Sequence, residues 1–259
     1  MALRQRLKAV CLSVGMIGLA ACGSEPIDVA AFDAEVQRLA DEGDMYGQIF
    51  VVLEERRPEL YGTFRKIALR EYANGRTPRE AGYLAGLKIR EKLMTELLQL
   101  SRVASDENVR EIIGIMIDTY EHLNEENPED CVRLIEGLPL KSVKEFPSEL
   151  RKRETRLIID LLSAPKTVAN RRAASEKEVL NWTMNVATLE PSVQQMMNLV
   201  GTEERSKQAN AEICEGTITL YKRLSYKKGE SRGTLLRGMA LMVLQDQQIR
   251  RNLSEEENA

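Results

Sequence analysis

One histidine, His122, and four cysteines, Cys11, Cys22, Cys131 and Cys214, are the side chains with the most chemistry to offer in this chain. A serine or cysteine nucleophile activated by imidazole must use His122 or do without histidine, and no Gly-x-Ser-x-Gly turn stands before a helix. His122 falls near the end of a predicted helix, where a cation suits the helix dipole, and that placement accounts for it better than a catalytic base does. Zinc would need several Cys or His ligands, and His122 with Cys131 supplies two. The run Asn124-Glu125-Glu126-Asn127-Pro128-Glu129-Asp130 has the acids of a calcium loop without their alternation or its central glycine. Its proline sits where a helix begins, so it reads as a solvated turn between helices.

Paired carboxylates could hydrolyse glycosides, and 40 acidic residues always offer pairs, but no spacing selects one. Aromatic residues make up only 5% of the chain, which leaves little to stack on a sugar; the sole tryptophan, Trp182, lies in an amphipathic stretch and reads as core. Gly82-Tyr83-Leu84-Ala85-Gly86 lacks the pattern of a phosphate loop and reads as a small-residue helix face for close packing. Met94, Met116, Met184, Met196, Met197, Met239 and Met242 could make an adaptable binding face, yet their helical spacing favours core filling. The residues therefore select no catalytic group, no metal ligand and no cofactor.

The elements that must position these residues are helices. The chain has 259 residues, 43% hydrophobic and 30% charged, enough apolar material for one large or two small domains. Apolar residues recur at three and four from Ile27 to Leu253, with no strand alternation. The pattern places helices at about 28–42, 45–56, 58–73, 78–103, 107–124, 128–137, 148–163, 175–189, 191–200, 203–226 and 231–252. Thr77-Pro78-Arg79-Glu80 and Ser175-Glu176-Lys177-Glu178 carry capping boxes, and Asn127-Pro128 marks a third start. Short connections imply antiparallel neighbours, so the expected fold is all-α, a multi-helix bundle or a short α-solenoid of helical hairpins. Ile112–Tyr120 and Leu235–Leu244 are apolar nearly all round and belong at the centre.

A shift of 101 residues aligns Ile117, Tyr120, Leu123, Glu129, Leu134, Ile135, Gly137 and Leu138 with Ile218, Tyr221, Leu224, Glu230, Leu235, Leu236, Gly238 and Met239. Two readings stand: a hairpin used twice, each copy burying a tyrosine and a close glycine contact, or coincidence between helices of similar composition. The corresponding division is 28–140 and 141–254, as two halves or one continuous domain, with an acidic tail at 255–259.

Residues 1–21 hold Arg4, Arg6 and Lys8, no acid, and an apolar run from Ala9 to Leu19 too short to span a bilayer as a mature helix. They end in Leu19-Ala20-Ala21-Cys22, followed by Gly23. This segment resembles the signal peptide and lipobox of bacterial lipoproteins at all four positions. The resemblance covers about 26 residues and implies cleavage between Ala21 and Cys22, then a thioether-linked diacylglycerol and a further acyl chain such as palmitate on Cys22. Residues 22–27 would be the lipidated tether. Gly23 in place of an inner-membrane retention aspartate implies outer-membrane sorting in a diderm host.

On that reading Cys11 leaves with the signal and Cys22 is acylated, which leaves Cys131 and Cys214 in an oxidising compartment. We expect them to pair; the alternative is two buried thiols that never meet. Removing the signal takes the formal charge from −3 to about −6, a poor balance for nucleic acid. The basic groups at Arg151 to Arg153, Arg171 and Arg172, and Lys222 to Lys228 read as solvated helix faces. The expectation is a periplasmic protein, membrane-bound through lipid at Cys22, that binds another protein as an immunity, inhibitor or scaffold lipoprotein. The alternative is a cell-wall enzyme using paired carboxylates.

Overall fold

The computed structural model describes residues 29–76, 78–138, 140–141, 146–164, 171–202 and 205–257. The signal segment, Cys22 and the Thr77 cap lie outside them. Eleven helices fill the described residues: α1 (Val29–Asp41), α2 (Met45–Arg56), α3 (Pro58–Ala73), α4 (Pro78–Ser101), α5 (Asp106–Glu126), α6 (Pro128–Ile135), α7 (Ser148–Ser163), α8 (Glu176–Ala187), α9 (Pro191–Leu199), α10 (Lys207–Ser225) and α11 (Glu230–Glu257). The all-α expectation holds, and most boundaries fall within two residues of the periodicity reading.

The helix starts show why. Pro58, Pro128 and Pro191 occupy the first positions of α3, α6 and α9, where a missing N–H costs nothing. Ser175 accepts from the Glu178 amide while the Glu178 carboxylate accepts from the Ser175 amide at 2.8 Å, the reciprocal capping box expected there. Asn127 ends α5 and caps α6 with its side chain. The α10 start departs from expectation by four residues because Ser206, not the preceding acids, is the N-cap. At the other end α11 continues to Glu257, into the segment read as an acidic tail.

Sequential helices pack as α1–α2, α2–α3, α3–α4, α5–α6, α8–α9 and α9–α10, but α7 also returns onto α2, α4 and α5, and α11 onto α4, α5 and α8. Contacts of that range distinguish a bundle from a solenoid, whose repeats touch only their neighbours. The largest apolar cluster joins Leu53, Tyr61, Phe64, Ile89, Ile113 and Leu162 with Leu224 and Leu236. A second is built on Val132, Val186, Val193, Met196, Ile213 and Leu220. A third surrounds Cys131 and Cys214 with Tyr120, Leu123 and Ile218.

Helix α10 contributes to all three clusters and packs against α5, α6 and α9. The expected central segments are in part peripheral: Ile113, Ile115, Leu235 and Leu236 are buried, but Val243 is exposed. The centrality of α10 rests on Cys214, Gly216 and Thr217, small residues that a hydrophobicity count passes over. A Cβ on Gly216 would overlap Met196 Cβ and lie 2.6 Å from the Ser192 carbonyl oxygen. Gly216→Ala is therefore expected to push α9 from α10 and to lower stability by about 1–3 kcal/mol. Gly62→Ala, in α3 where a Cβ meets nothing within 4 Å, is expected to be neutral or stabilising by up to about 1 kcal/mol. Paired thermal melts check this; equal melting temperatures for the two variants would contradict the close α9–α10 approach.

The glycines also correct two sequence expectations. Gly82 and Gly86 have open space at their Cβ positions, whereas Ala81, Ala85 and Ile89 supply the buried face of α4. Of the aligned pair, Gly137 ends α6 at φ 72°, while a Cβ on Gly238, inside α11, would meet the Ala174 carbonyl oxygen at 2.7 Å. The two glycines do different work, so the shared glycine contact is absent. The aligned tyrosines do meet: Tyr120 and Tyr221 pack with ring centroids 5.8 Å apart.

Candidate functional site

Cys131, in the first turn of α6, and Cys214, in α10, form a disulfide across 83 residues of sequence with Cα atoms 6.0 Å apart. That separation lies within the range the bond needs. Both cysteines are fully buried, and Tyr120 and Ile218 share their cluster. An enclosed bridge of this kind has no approach for an attacking thiolate, so its role is structural. Burial also sets the tyrosines beside it: the Tyr120 hydroxyl is pushed well above its ordinary pKa, chiefly by desolvation, and Tyr221 to about 12. Both remain protonated at neutral pH.

His122 lies within α5, one turn before its end, and its ring packs 5.5 Å from that of Phe146. Together with Asp130, Asn127 and Leu140 it borders a hollow of about 30 Å³, room for a water and not for a substrate. The acidic turn is tied down rather than solvated throughout. Asp130 is fully buried, and its carboxylate accepts from Asn127 Nδ2 at 2.9 Å and from the Lys141 amide at 2.6 Å. Glu129 pairs with the Lys141 ammonium at the surface. The structure thus brings His122, Asp130 and the disulfide to one end of α5–α6, where the Asp130 carboxylate closes the turn and His122 packs on Phe146.

Among the described residues no group of three or more His, Cys, Asp and Glu side chains is arranged to hold a metal ion. The carboxylates with resolved shifts, Glu35, Glu71, Glu149 and Glu178, all move downward, through hydrogen bonds from Arg38, Lys88, Lys152 and the Ser175 amide respectively. A general acid for glycoside hydrolysis needs the opposite shift.

The surface offers a different kind of site. Helix α8 buries Val179, Val186 and Ala187 and half-buries Trp182, which bridges the first two clusters. Leu180 and Met184 stand four residues apart along one flank of that face, 47% and 54% exposed, and Leu189 just beyond the helix is 74% exposed. Helical geometry aligns i and i+4 on one stripe. The methionines accordingly divide: Met196 is buried and Met116, Met197, Met239 and Met242 pack on the core, while Met94 and Met184 are exposed. Helix spacing assigned all seven to the core, and for these two the structure overturns it.

No protein-family model matches this chain, and no curated protein or solved structure does so either. The class its structure defines is an all-α multi-helix bundle with an internal disulfide.

Proposed function

We propose that this chain is a lipid-anchored protein of the periplasmic side of a bacterial membrane that acts by binding another protein, as an immunity or inhibitor lipoprotein or as a scaffold of an envelope assembly. The observation that carries the binding reading is the outer stripe of α8. Two large apolar side chains four residues apart, with Leu189 beyond them, are exposed to water beside the face by which the same helix already fills the core. Exposed apolar groups that cluster in this way mark interaction surfaces, and a flexible methionine among them suits adaptable packing. The lipobox resemblance at Leu19 to Cys22 supports the anchor, and tethering raises the effective concentration of the binding face near the membrane. No described helix is long and apolar enough to cross a membrane.

The test is capture from periplasmic and secreted fractions with Cys22→Ser bait, beside the same bait carrying Leu180→Glu and Met184→Glu. A single stoichiometric partner is expected on the first. The charged pair is expected to weaken its binding by about 30-fold or more, as loss of an apolar hot spot does. Both side chains are exposed, so the melting temperature should not move. Equal retention of the partner by the two baits would remove α8 as the binding face.

A further inference from the structure

Helix α9, Pro191–Leu199, carries no acid and no base, in a chain of which 30% of residues are charged. The uncharged run is longer than the helix. None of the exposed residues from Leu180 to Thr202 is charged, and the one charge in that span, Glu190, is paired with Arg223.

Burial fixes which side of α9 meets water. Val193 and Met196 enter the second apolar cluster, and Gly216 lets the helix lie close on α10. Pro191, Gln194, Gln195 and Asn198 fall on the opposite side at the three- and four-residue spacing of one helical stripe, and all four are exposed. At the two ends of the stripe stand Leu189 and Val200, 74% and 59% exposed.

The stripe is symmetric about its midpoint, which falls between Gln194 and Gln195. Leu189 and Val200 lie equally far from that point, as do Pro191 and Asn198. Turned end for end, the stripe presents glutamine where it had glutamine and an aliphatic side chain where it had an aliphatic side chain. A two-fold axis through the midpoint would set Leu189 of one copy against Val200 of the other, and Gln194 against Gln195. A carboxamide holds both donors and an acceptor, so two glutamines can satisfy each other across the axis. A charge beside the axis would meet its own copy, and the chain carries a net −3, so two copies come together best where charge is absent. Charge depletion is also what distinguishes the core of an interface from the rest of a surface. A foreign partner has no use for the end-for-end symmetry.

We propose that the outer face of α9 is a contact between two copies of this chain, packed antiparallel about a two-fold axis at Gln194 and Gln195. At the helical rise, residues 189–200 span about 18 Å. So short a contact gives a reversible dimer, with a Kd of about 10–100 μM. The inference goes beyond the α8 reading, since Gln194, Gln195 and Asn198 are no part of the Leu180 and Met184 stripe, and either can fail without the other.

Sedimentation equilibrium in density-matched neutral detergent tests it, on the full chain carrying Cys11→Ser/Cys22→Ser so that no thiol outside the buried bridge can cross-link copies. A monomer–dimer equilibrium that changes little with salt is expected. Gln194→Glu/Gln195→Glu gathers like charges at the axis and should weaken the dimer by about 30-fold or more. Gln194→Glu/Gln195→Lys instead sets a carboxylate against an ammonium of the other copy, and should return the Kd to within about threefold of the parent. Both positions are exposed, so circular dichroism should stay parental. A parent that remains monomeric to about 1 mM, association that continues past two copies, or an unchanged Kd in the two-glutamate chain overturns the proposal. Equal weakening in both charged chains overturns the antiparallel register and the symmetric contact with it.

Discussion

Serine in place of Cys131 or Cys214 is expected to lower the stability of this protein by about 4 kcal/mol, from the loop-closure entropy the bridge removes from the unfolded chain. The bond spans 83 residues of sequence, and closure entropy grows with the logarithm of that length. At about 2–4 °C per kcal/mol for a chain of this size, the melting temperature should fall by about 8–16 °C. The position adds to the effect. The bridge fastens α6 to α10, the helix that contributes to every core cluster, and both sulfur atoms sit where no water reaches. A single serine leaves one thiol and one hydroxyl in an apolar site, so Cys131→Ala/Cys214→Ala separates the lost cross-link from the buried polar group. Parent protein unfolded, reduced and refolded under reducing conditions should melt close to the double alanine chain, since the folded bridge is closed to reductant. The bond itself is checked by mass spectrometry of an unreduced digest; recovery of the Cys131 and Cys214 peptides unlinked, with a serine variant melting like the parent, would contradict both the connection and its energetic role.

What the sequence disclosed about this fold follows from which forces act locally. Amphipathic spacing and N-caps are local, so Pro58, Asn127, Pro128, Ser175 and Pro191 marked their helix starts before any tertiary contact was known. Glycines are different. Gly82, Gly86 and Gly216 look alike in sequence, and only the neighbouring helix decides that a side chain fits at the first two and overlaps Met196 at the third. The same limit hid the centrality of α10, which depends on small residues admitting close neighbours rather than on apolar count.

The candidate sites were partly readable. In α8, Val179, Trp182, Val186 and Ala187 keep the core phase while Leu180 and Met184 fall outside it, a discrepancy visible in the spacing that the reading of methionines as core passed over. Arg237 is a charge set in a segment otherwise apolar nearly all round, Leu235 to Leu244. A lone charge in such a stretch implies a buried guanidinium that must find partners. The burial of Asp130 was masked by its acidic neighbours; only the Lys141 amide reaching back to it shows that this carboxylate organises a turn.

Cys22→Ser is expected to abolish fatty-acid incorporation entirely, because the thioether of a bacterial lipoprotein forms on sulfur and a serine hydroxyl does not replace it in that pathway. The prediction rests on the lipobox resemblance of Leu19-Ala20-Ala21-Cys22, and its readouts are chemical. In a bacterial host supplied with labelled palmitate, the parent should carry label and an intact mass beginning at Cys22 with its acyl additions. The serine chain should carry neither label nor that cleavage, and should retain residues 1–21. Cys11→Ser is the internal control: that thiol lies in the apolar run that the signal reading discards, so label and processing should persist. Membrane retention follows from the same arithmetic. Each buried methylene contributes about 0.8 kcal/mol, one chain binds only marginally, and two or more hold stably. Replacement of residues 1–22 by a cleavable secretory signal should therefore release the helical bundle into the periplasmic fraction, whereas the parent sediments with membranes. Label that survives in Cys22→Ser, or disappears in Cys11→Ser, would place the modification elsewhere and remove the anchor from the proposed function.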